Sequence, residues 1–248
     1  MTKIISILNH KGGVGKTTTS ASLAAALSLK DFKVLAIDLD PQANLTQSLG
    51  HPTESGNTIY GALRGAYQLP VITHKKNFDI VLSTLDLSAA EIELSSEPGR
   101  EFILRDLIEP VKNNYDYILI DCPPSLGLLT LNALTASTSV LIPVQAQYLA
   151  IQGMTKLFNI IRIVQQRLNK LLELEGIIIT QFNKHIILNR DIFSTLQKNF
   201  PDKVFSTVIR HNIALAEAPS SGKDIFEYSS KCAGAQDYLQ LCEELLKH

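Results

Sequence analysis

The segment KGGVGKTT, residues 11–18, decides the fold class of this 248-residue chain. It follows the apolar run IISIL at residues 4–8, and the Ala- and Leu-rich stretch after it predicts a helix over residues 19–29. A buried strand, a glycine-rich turn and a helix in this order direct backbone N–H groups and a helix N-terminus toward one point. Such a point binds phosphate, so the segment predicts an anion site in a βα unit.

The residue types in this segment have separate physical reasons. Its glycines permit positive φ and a close approach of the backbone to an anion; they are Gly12, Gly13 and Gly15. Lys16 is placed to reach the β- and γ-phosphates of a nucleotide, the Thr17 hydroxyl to hold Mg²⁺, and Thr18 to meet an inner phosphate. The usual pattern G-x-x-x-x-G-K-[ST] has glycine where this chain has His10, so an ordinary glycine-rich turn is the alternative interpretation.

Carboxylates follow two further apolar runs. The run at residues 33–37 precedes DLDPQAN, which contains Asp38 and Asp40, and the run at residues 117–120 ends in Asp121. The carboxyl ends of parallel strands form the ligand-binding edge of such sheets. Asp121 therefore fits a Walker B acid near Mg²⁺, and Asp38 and Asp40 fit a metal or an attacking water. A solvated Asp-rich turn is the alternative for residues 38–44.

Alternating strands and helices continue to the end of the chain. Strands are predicted at residues 78–82, 140–144, 176–180 and 204–209, and helices at 88–95, 101–111, 153–172, 190–199 and 233–246. This order predicts a single α/β domain over residues 1–248, with a mostly parallel, twisted sheet flanked by helices in three layers.

Composition limits the functional classes. The net charge is −1, and hydrophobic residues make up 45% of the chain, as in an ordinary soluble domain. Residues 84–121 carry nine acidic and three basic residues, whereas residues 156–231 carry eleven basic and seven acidic ones, so a polyanion is expected to meet the later segment. The three cysteines show no metal-binding spacing and no signal peptide is evident, which favours a cytoplasmic location.

Together these motifs resemble the deviant-Walker-A ATPases of the ParA/MinD class, and most closely the Soj-type ParA partition ATPases. The resemblance is carried by residues 11–18, by DLDPQAN at 38–44, by IDCPPS at 120–125 and by LAEAPS at 215–220. It implies a P-loop NTPase fold that binds ATP and Mg²⁺ and forms a homodimer enclosing the nucleotides.

The resemblance also implies roles for single residues. Lys11 is the signature lysine that reaches the phosphates of the partner subunit, and it therefore counts with Lys16 and Asp40 as catalytic. Asp40 positions the attacking water, and Thr17, Asp38 and Asp121 support the metal. The nucleotide-binding set comprises Lys11, Gly12, Gly13, Val14, Gly15, Lys16, Thr17 and Thr18, together with Asn183, Arg210 and Asn212 for the base.

Double-stranded DNA is the expected non-specific ligand, contacted by Lys184, Arg190, Arg210 and His211. The family commonly shows a stretch resembling PRNVRL before the EAPS motif, with two basic residues that contact DNA phosphates. This chain has RHNIAL at residues 210–215, so His211 and Ala214 stand at the basic positions and Arg210 at the proline. Weaker DNA binding is expected, and a solvated basic face without a ligand is the alternative.

Four functions are compatible with these patterns. The first is an ATP-driven switch that binds the nucleoid and is stimulated by a ParB-like partner to position a chromosome or plasmid. A ParA-like positioner of a protein cargo is the second. The third is a MinD-like membrane regulator, which the acidic residues of the C-terminal segment disfavour because such anchors are basic. The last is a redox protein resembling the nitrogenase iron protein, which is disfavoured because Cys122 lies in the Walker B turn rather than in a dedicated cluster loop.

Overall fold

A computed structural model describes residues 2–53, 56–147 and 150–247. Its centre is one eight-stranded sheet of strand order β3-β4-β2-β5-β1-β6-β7-β8. The strands are β1 (Lys3–Ile7), β2 (Val34–Asp38), β3 (Ile72–Lys75), β4 (Phe78–Val81), β5 (Tyr117–Asp121), β6 (Ser139–Gln145), β7 (Glu173–Phe182) and β8 (Val204–Arg210). Strand β3 is antiparallel to β4, and the other neighbours are parallel. The expected mostly parallel sheet is therefore confirmed.

Helices connect the strands and cover the sheet. They are α1 (Lys16–Leu29), α2 (Asn44–Ser48), α3 (Ile59–Leu63), α4 (Leu87–Glu93), α5 (Ile103–Ile108), α6 (Leu128–Ala136), α7 (Ala150–Arg167), α8 (Ile187–Asn199), α9 (Ile213–Glu217), α10 (Ile225–Ser229) and α11 (Ala233–Leu245). Short 3₁₀ turns lie at Leu94–Ser96, Arg100–Phe102, Lys112–Asn114 and Ala218–Ser221.

The central strands are buried on both faces, which explains their continuous apolar runs. In β2, Leu35 and Ile37 belong to a core that includes α3 to α8, whereas Val34 and Ala36 belong to a second core with α1, α2 and α11. Successive residues of a strand point to opposite faces, so one short sequence supplies both cores. The result is the expected helix–sheet–helix arrangement of three layers.

The register brings the predicted site motifs to one edge. In β1 and β2, Ile7 and Asp38 both lie opposite Asp121 at the end of β5. The phosphate loop leaves β1 at this edge, and the acidic segment leaves β2 beside it. Sequence-distant motifs therefore meet at the carboxyl ends of adjacent strands, as expected for a parallel sheet.

Several element boundaries differ from the prediction. Strand β3 was not expected, because its residues are mostly polar and form an edge strand of only four residues. The helix predicted at 153–172 ends at Arg167. Beyond it, the Asn169 side chain donates to the carbonyl oxygens of Leu134, Thr135 and Ser137, which fixes the chain as a turn. The helix predicted at 101–111 is the shorter α5, preceded by a 3₁₀ turn.

Helix α11 packs along the edge strand β8. Its apolar residues Tyr238, Leu241, Cys242 and Leu245 are buried in the core shared with α1. The Glu244 carboxylate accepts hydrogen bonds from two backbone N–H groups of β8. The apolar face that a MinD-like membrane anchor requires is therefore used within the domain. Among the described residues, none of the helices combines the length and apolarity needed to cross a bilayer.

Candidate active site

The phosphate loop has the backbone conformation that its glycines predict at two positions. Gly13 and Gly15 have φ values of +71° and +87°, where a side chain is strained, whereas Gly12 is not in this region. Gly12 faces open space, so its use is close approach of a ligand rather than a positive φ. Helix α1 begins directly at Lys16, so its N-terminus faces the same space as the loop.

Two residues at the end of β7 hold the loop, and the sequence analysis did not identify them. Thr180 Oγ1 donates to the carbonyl oxygen of Val14 at 2.7 Å, and Gln181 Nε2 donates to that of Gly13 at 2.7 Å. Both polar residues follow an apolar run at the ligand-binding edge of a predicted parallel strand. A polar residue at that position was the sequence feature that could have identified them.

The two lysines of the segment have different environments. Lys16 is buried, and its Nζ donates to the carbonyl oxygen of Lys11 at 3.2 Å inside the loop. Burial lowers the pKa of Lys16, and the carboxylates of Asp121 and Asp40 partly offset this effect. Lys11 Nζ instead donates to Gln147 Oε1 at 2.6 Å, on the β6–α7 connection. Only Lys16 is therefore directed into its own loop.

Thr17, Ser20 and Asp121 form a connected group of oxygen atoms below the loop. Thr17 Oγ1 donates to Asp121 Oδ2 at 2.8 Å, and Ser20 Oγ donates to Asp121 Oδ1 at 2.9 Å. Asp121 is fully buried, and this burial raises its pKa. A hydroxyl and a carboxylate oxygen side by side are the donors that Mg²⁺ prefers, so Thr17 and Asp121 fit the predicted metal role.

Asp38 and Asp40 occupy different places. Asp38 is fully buried, and its carboxylate accepts from Thr46 N, Thr46 Oγ1 and the backbone N–H of Asp40. Burial, reinforced by Asp121, raises the pKa of Asp38. Its hydrogen bonds fix α2, and its predicted metal role stays a prediction. Asp40 lines the cavity beside the loop, where its carboxylate accepts from Gln42 N.

Two adjoining cavities surround the loop. The first has a volume of about 430 Å³, is bordered by the loop and includes Asp40, Asn44, Pro124 and Pro219. The second, of about 230 Å³, lies between the loop, the end of β8 and α11. Gly15, Thr18 and Gln181 line both, so the two spaces meet at the start of α1. A phosphate chain and a base fit this division.

The second cavity contains two of the three predicted base contacts. Asn212 lines it, and Asn212 Oδ1 is a buried acceptor without a hydrogen-bond partner in the described chain. Arg210 also lines it, but its guanidinium is bonded to Asp237. Asn183 is not among the described residues that line this cavity, and its Oδ1 accepts from His185 N. An unsatisfied buried acceptor is costly, which favours a ligand with an N–H group at Asn212.

The predicted DNA contacts lie near the same edge. Lys184, Arg190 and His211 are exposed, with Arg190 on α8. The backbone N–H of His211 bonds to the carbonyl of Phe182, which joins the connection after β8 to the end of β7. Arg210 differs, because its half-exposed side chain is paired with the buried Asp237. All four DNA contacts stay predictions.

Cys122 does not suit the iron–sulfur alternative. Its side chain is completely buried, and burial raises the pKa of its thiol. A cluster shared between subunits needs an accessible thiolate. Among residues 2–53, 56–147 and 150–247, no group of three or more His, Cys, Asp or Glu side chains is placed to hold a metal ion.

Comparison with known proteins agrees with this geometry. Residues 2–174 match the AAA_31 family profile, described as an AAA domain. The chain is 47% identical to the sporulation initiation inhibitor protein Soj of Bacillus subtilis, over 99% of this chain and 98% of that protein. It is 44% identical to the chromosome partitioning protein ParA of Myxococcus xanthus, over 99% of this chain and 88% of that protein.

A solved structure gives the same fold. A putative plasmid partition protein from Borrelia burgdorferi, bound to AMPPNP, is 30% identical with a TM-score of 0.84, covering 100% of this chain and 99% of that one. With near-complete coverage by relatives above 40% identity and the loop geometry described above, the chain belongs to the ParA/Soj family of chromosome-partitioning ATPases.

Proposed function

We propose that this protein is an ATP-dependent switch that dimerises around two nucleotides, binds DNA without sequence preference and hydrolyses ATP when a ParB-like partner stimulates it. One observation carries the proposal: Lys16 lies inside its own loop, whereas Lys11 is directed to Gln147 outside it. A second lysine that does not serve its own phosphate site is available to a neighbouring subunit.

The proposed chemistry uses this chain's groups around ATP as substrate. The loop N–H groups and Lys16 bind and orient the phosphates, and Asn212 accepts from the base. Thr17 and Asp121 would hold Mg²⁺, which supplies charge neutralisation when it is bound. Asp40 orients the attacking water, and Lys11 of a second copy adds positive charge where the transition state carries negative charge.

Asp40→Ala is expected to separate binding from hydrolysis. The carboxylate lines the cavity but is not bonded to the loop, so its loss leaves the phosphate contacts intact. The rate of hydrolysis should fall by about 100-fold or more, the usual contribution of a general base. Equilibrium ATP binding tests whether the nucleotide site is intact, and the molar mass from light scattering with ATP tests whether the variant dimerises. A variant that hydrolyses ATP normally contradicts the role of Asp40.

The DNA-binding part of the proposal rests on exposed positive charge. Lys184 and His211 are exposed on the connections after β7 and β8, and Arg190 is exposed on α8, within a segment of positive charge balance. Positive groups that replace counterions on DNA make binding steeply salt-dependent. Lys184→Ala and Arg190→Ala should each lower the slope of log affinity against log salt by about one unit. Unchanged slopes would place the DNA elsewhere.

Retention of duplex DNA tests the switch directly. Wild type should retain random-sequence duplex at low salt with ATP and release it without nucleotide, because only the dimer presents two basic surfaces. Lys16→Ala should show little retention in either condition. Equal retention of wild-type protein with and without ATP would reject the switch.

A nucleoid-associated, cytoplasmic location follows from this proposal. The partner is a ParB-like protein, and the cargo is a chromosome or a plasmid. A protein cargo is the alternative and uses the same ATPase cycle. A ParB-like coding sequence next to this gene favours a chromosome or plasmid cargo. A neighbouring gene for a structural protein favours a protein cargo.

A further inference from the structure

The end of β8 is fixed by an ion pair with α11. Arg210 Nε donates to both carboxylate oxygens of Asp237 at 3.0 Å, and one terminal nitrogen of Arg210 donates to Oδ1 at 2.6 Å. Asp237 Oδ2 also accepts from the backbone N–H of Arg210 at 2.9 Å. The Asp237 side chain is only 6% exposed. The buried carboxylate of Asp237 thus holds both the guanidinium and the backbone of Arg210.

The burial of Asp237 opposes exchange of this pair for a DNA contact. If Arg210 moved to a phosphate, Asp237 would be left buried without its cation, which is strongly unfavourable. A bidentate guanidinium–carboxylate pair also fixes orientation, because both groups are planar. Arg210 therefore restricts the chain at the start of the β8–α9 loop.

Helix α11 also supports α9, the helix that follows this loop. A Cβ on Gly234 would lie 2.6 Å from Leu215 Cγ, so the two helices are in close contact there. The helix also touches the phosphate side, since Tyr238 OH and Thr19 Oγ1 are 3.1 Å apart in the buried contact between α11 and α1. Adjacent residues Asp237 and Tyr238 thus connect the base cavity to the helix that begins at the phosphate loop.

We propose that Asp237 and Arg210 are a positioning pair that sets the nucleobase preference of the site. By fixing residues 210–215 relative to α1, they hold Asn212 Oδ1 at one place in the second cavity. An acceptor held there pairs with the amino group of adenine and repels the carbonyl oxygen that guanine carries at the same position. This inference rests on the proposed ATP-binding function and assigns its base selectivity to an ion pair whose carboxylate, on Asp237, does not line the base cavity.

Asp237→Asn tests the pair, with Glu244→Gln as its matched control. Both substitutions remove one charge from α11 and retain an acceptor for backbone N–H groups of β8, but Glu244 caps Ser206 and Thr207, away from the cavity. Equilibrium dissociation constants for ATP and GTP, both with Mg²⁺, give the selectivity ratio. We expect the ATP preference to fall about tenfold in Asp237→Asn, equivalent to one neutral hydrogen bond between Asn212 and the base, and to be unchanged in Glu244→Gln.

A double-mutant cycle with Arg210→Gln completes the test, with thermal unfolding of each ligand-free variant as the check on folding. In the cycle, the double variant should lose no more selectivity than Asp237→Asn alone, because each single change already breaks the pair. An unchanged ratio in Asp237→Asn, an equal fall in Glu244→Gln, or additive losses would overturn the inference. Failure of wild-type protein to bind ATP would instead reject the proposed function.

Discussion

Lys16→Ala is expected to weaken ATP binding by about 100-fold or more, because the variant loses a buried, charge-assisted contact with two phosphates. The ammonium group of Lys16 is directed into its own loop, whereas that of Lys11 is directed to Gln147. Isothermal titration calorimetry with ATP and Mg²⁺ measures the change. DNA retention and hydrolysis should be lost with it, since both depend on bound nucleotide.

The ligand-free stability of Lys16→Ala distinguishes this result from misfolding. Burial already disfavours the charged form of Lys16 and lowers its pKa, so alanine removes a desolvated ammonium group. The melting temperature without nucleotide should be equal to or above that of wild type. A variant that melts lower and also fails to bind ATP would show damage to the loop rather than a lost phosphate contact.

Lys11→Ala is expected to lower stimulated ATP hydrolysis by about 1,000-fold, the scale of a cation delivered to the transition state by a second protein. Binding of ATP to the monomer should change little, because Lys11 Nζ is bonded to Gln147 and not directed into its own loop. Lys16→Ala, in the same segment, is expected to lose ATP binding itself, whereas Lys11→Ala should lose hydrolysis and retain binding. Hydrolysis by Lys11→Ala at the wild-type rate would remove the proposed role of the second subunit.

Mixing two inactive variants tests whether Lys11 acts between subunits. A heterodimer of Lys11→Ala and Asp40→Ala contains one site with its own Asp40 and the Lys11 of the other copy. An equal mixture should therefore recover about one quarter of the wild-type rate, since about half the dimers are mixed and each has one complete site. If Lys11 acted within its own subunit, no complete site would form and the mixture would stay inactive.

The central sheet and the phosphate site were predictable because short-range patterns determine them. Residues 34–37 and 118–120 are apolar without interruption, which is typical of strands covered on both faces. Carboxylates directly after such strands had to meet the loop, since parallel strands end at one edge. The positions of Lys16, Thr17, Asp40 and Asp121 followed from this rule.

Other features depend on contacts between distant residues, which the sequence pattern did not indicate. Thr180 and Gln181 support the loop from β7, 166 and 168 residues further along the chain. The ion pair of Arg210 could not be predicted, because its partner Asp237 lies on the last helix and the sequence pattern does not link the two residues. The hydrogen bonds that Asp38 accepts from Thr46 were likewise not indicated by the sequence pattern.

Helix α11 has a consequence for handling this protein. Strand β8 is the last in the sheet, and the carboxylates of Asp237 and Glu244 occupy backbone N–H groups on Ser206, Thr207 and Arg210. An uncovered outer strand pairs readily with strands of other molecules and seeds aggregates. Truncated chains that end before Ala233 would therefore aggregate. A reporter protein used to follow self-association should be fused at a site that leaves α11 in place.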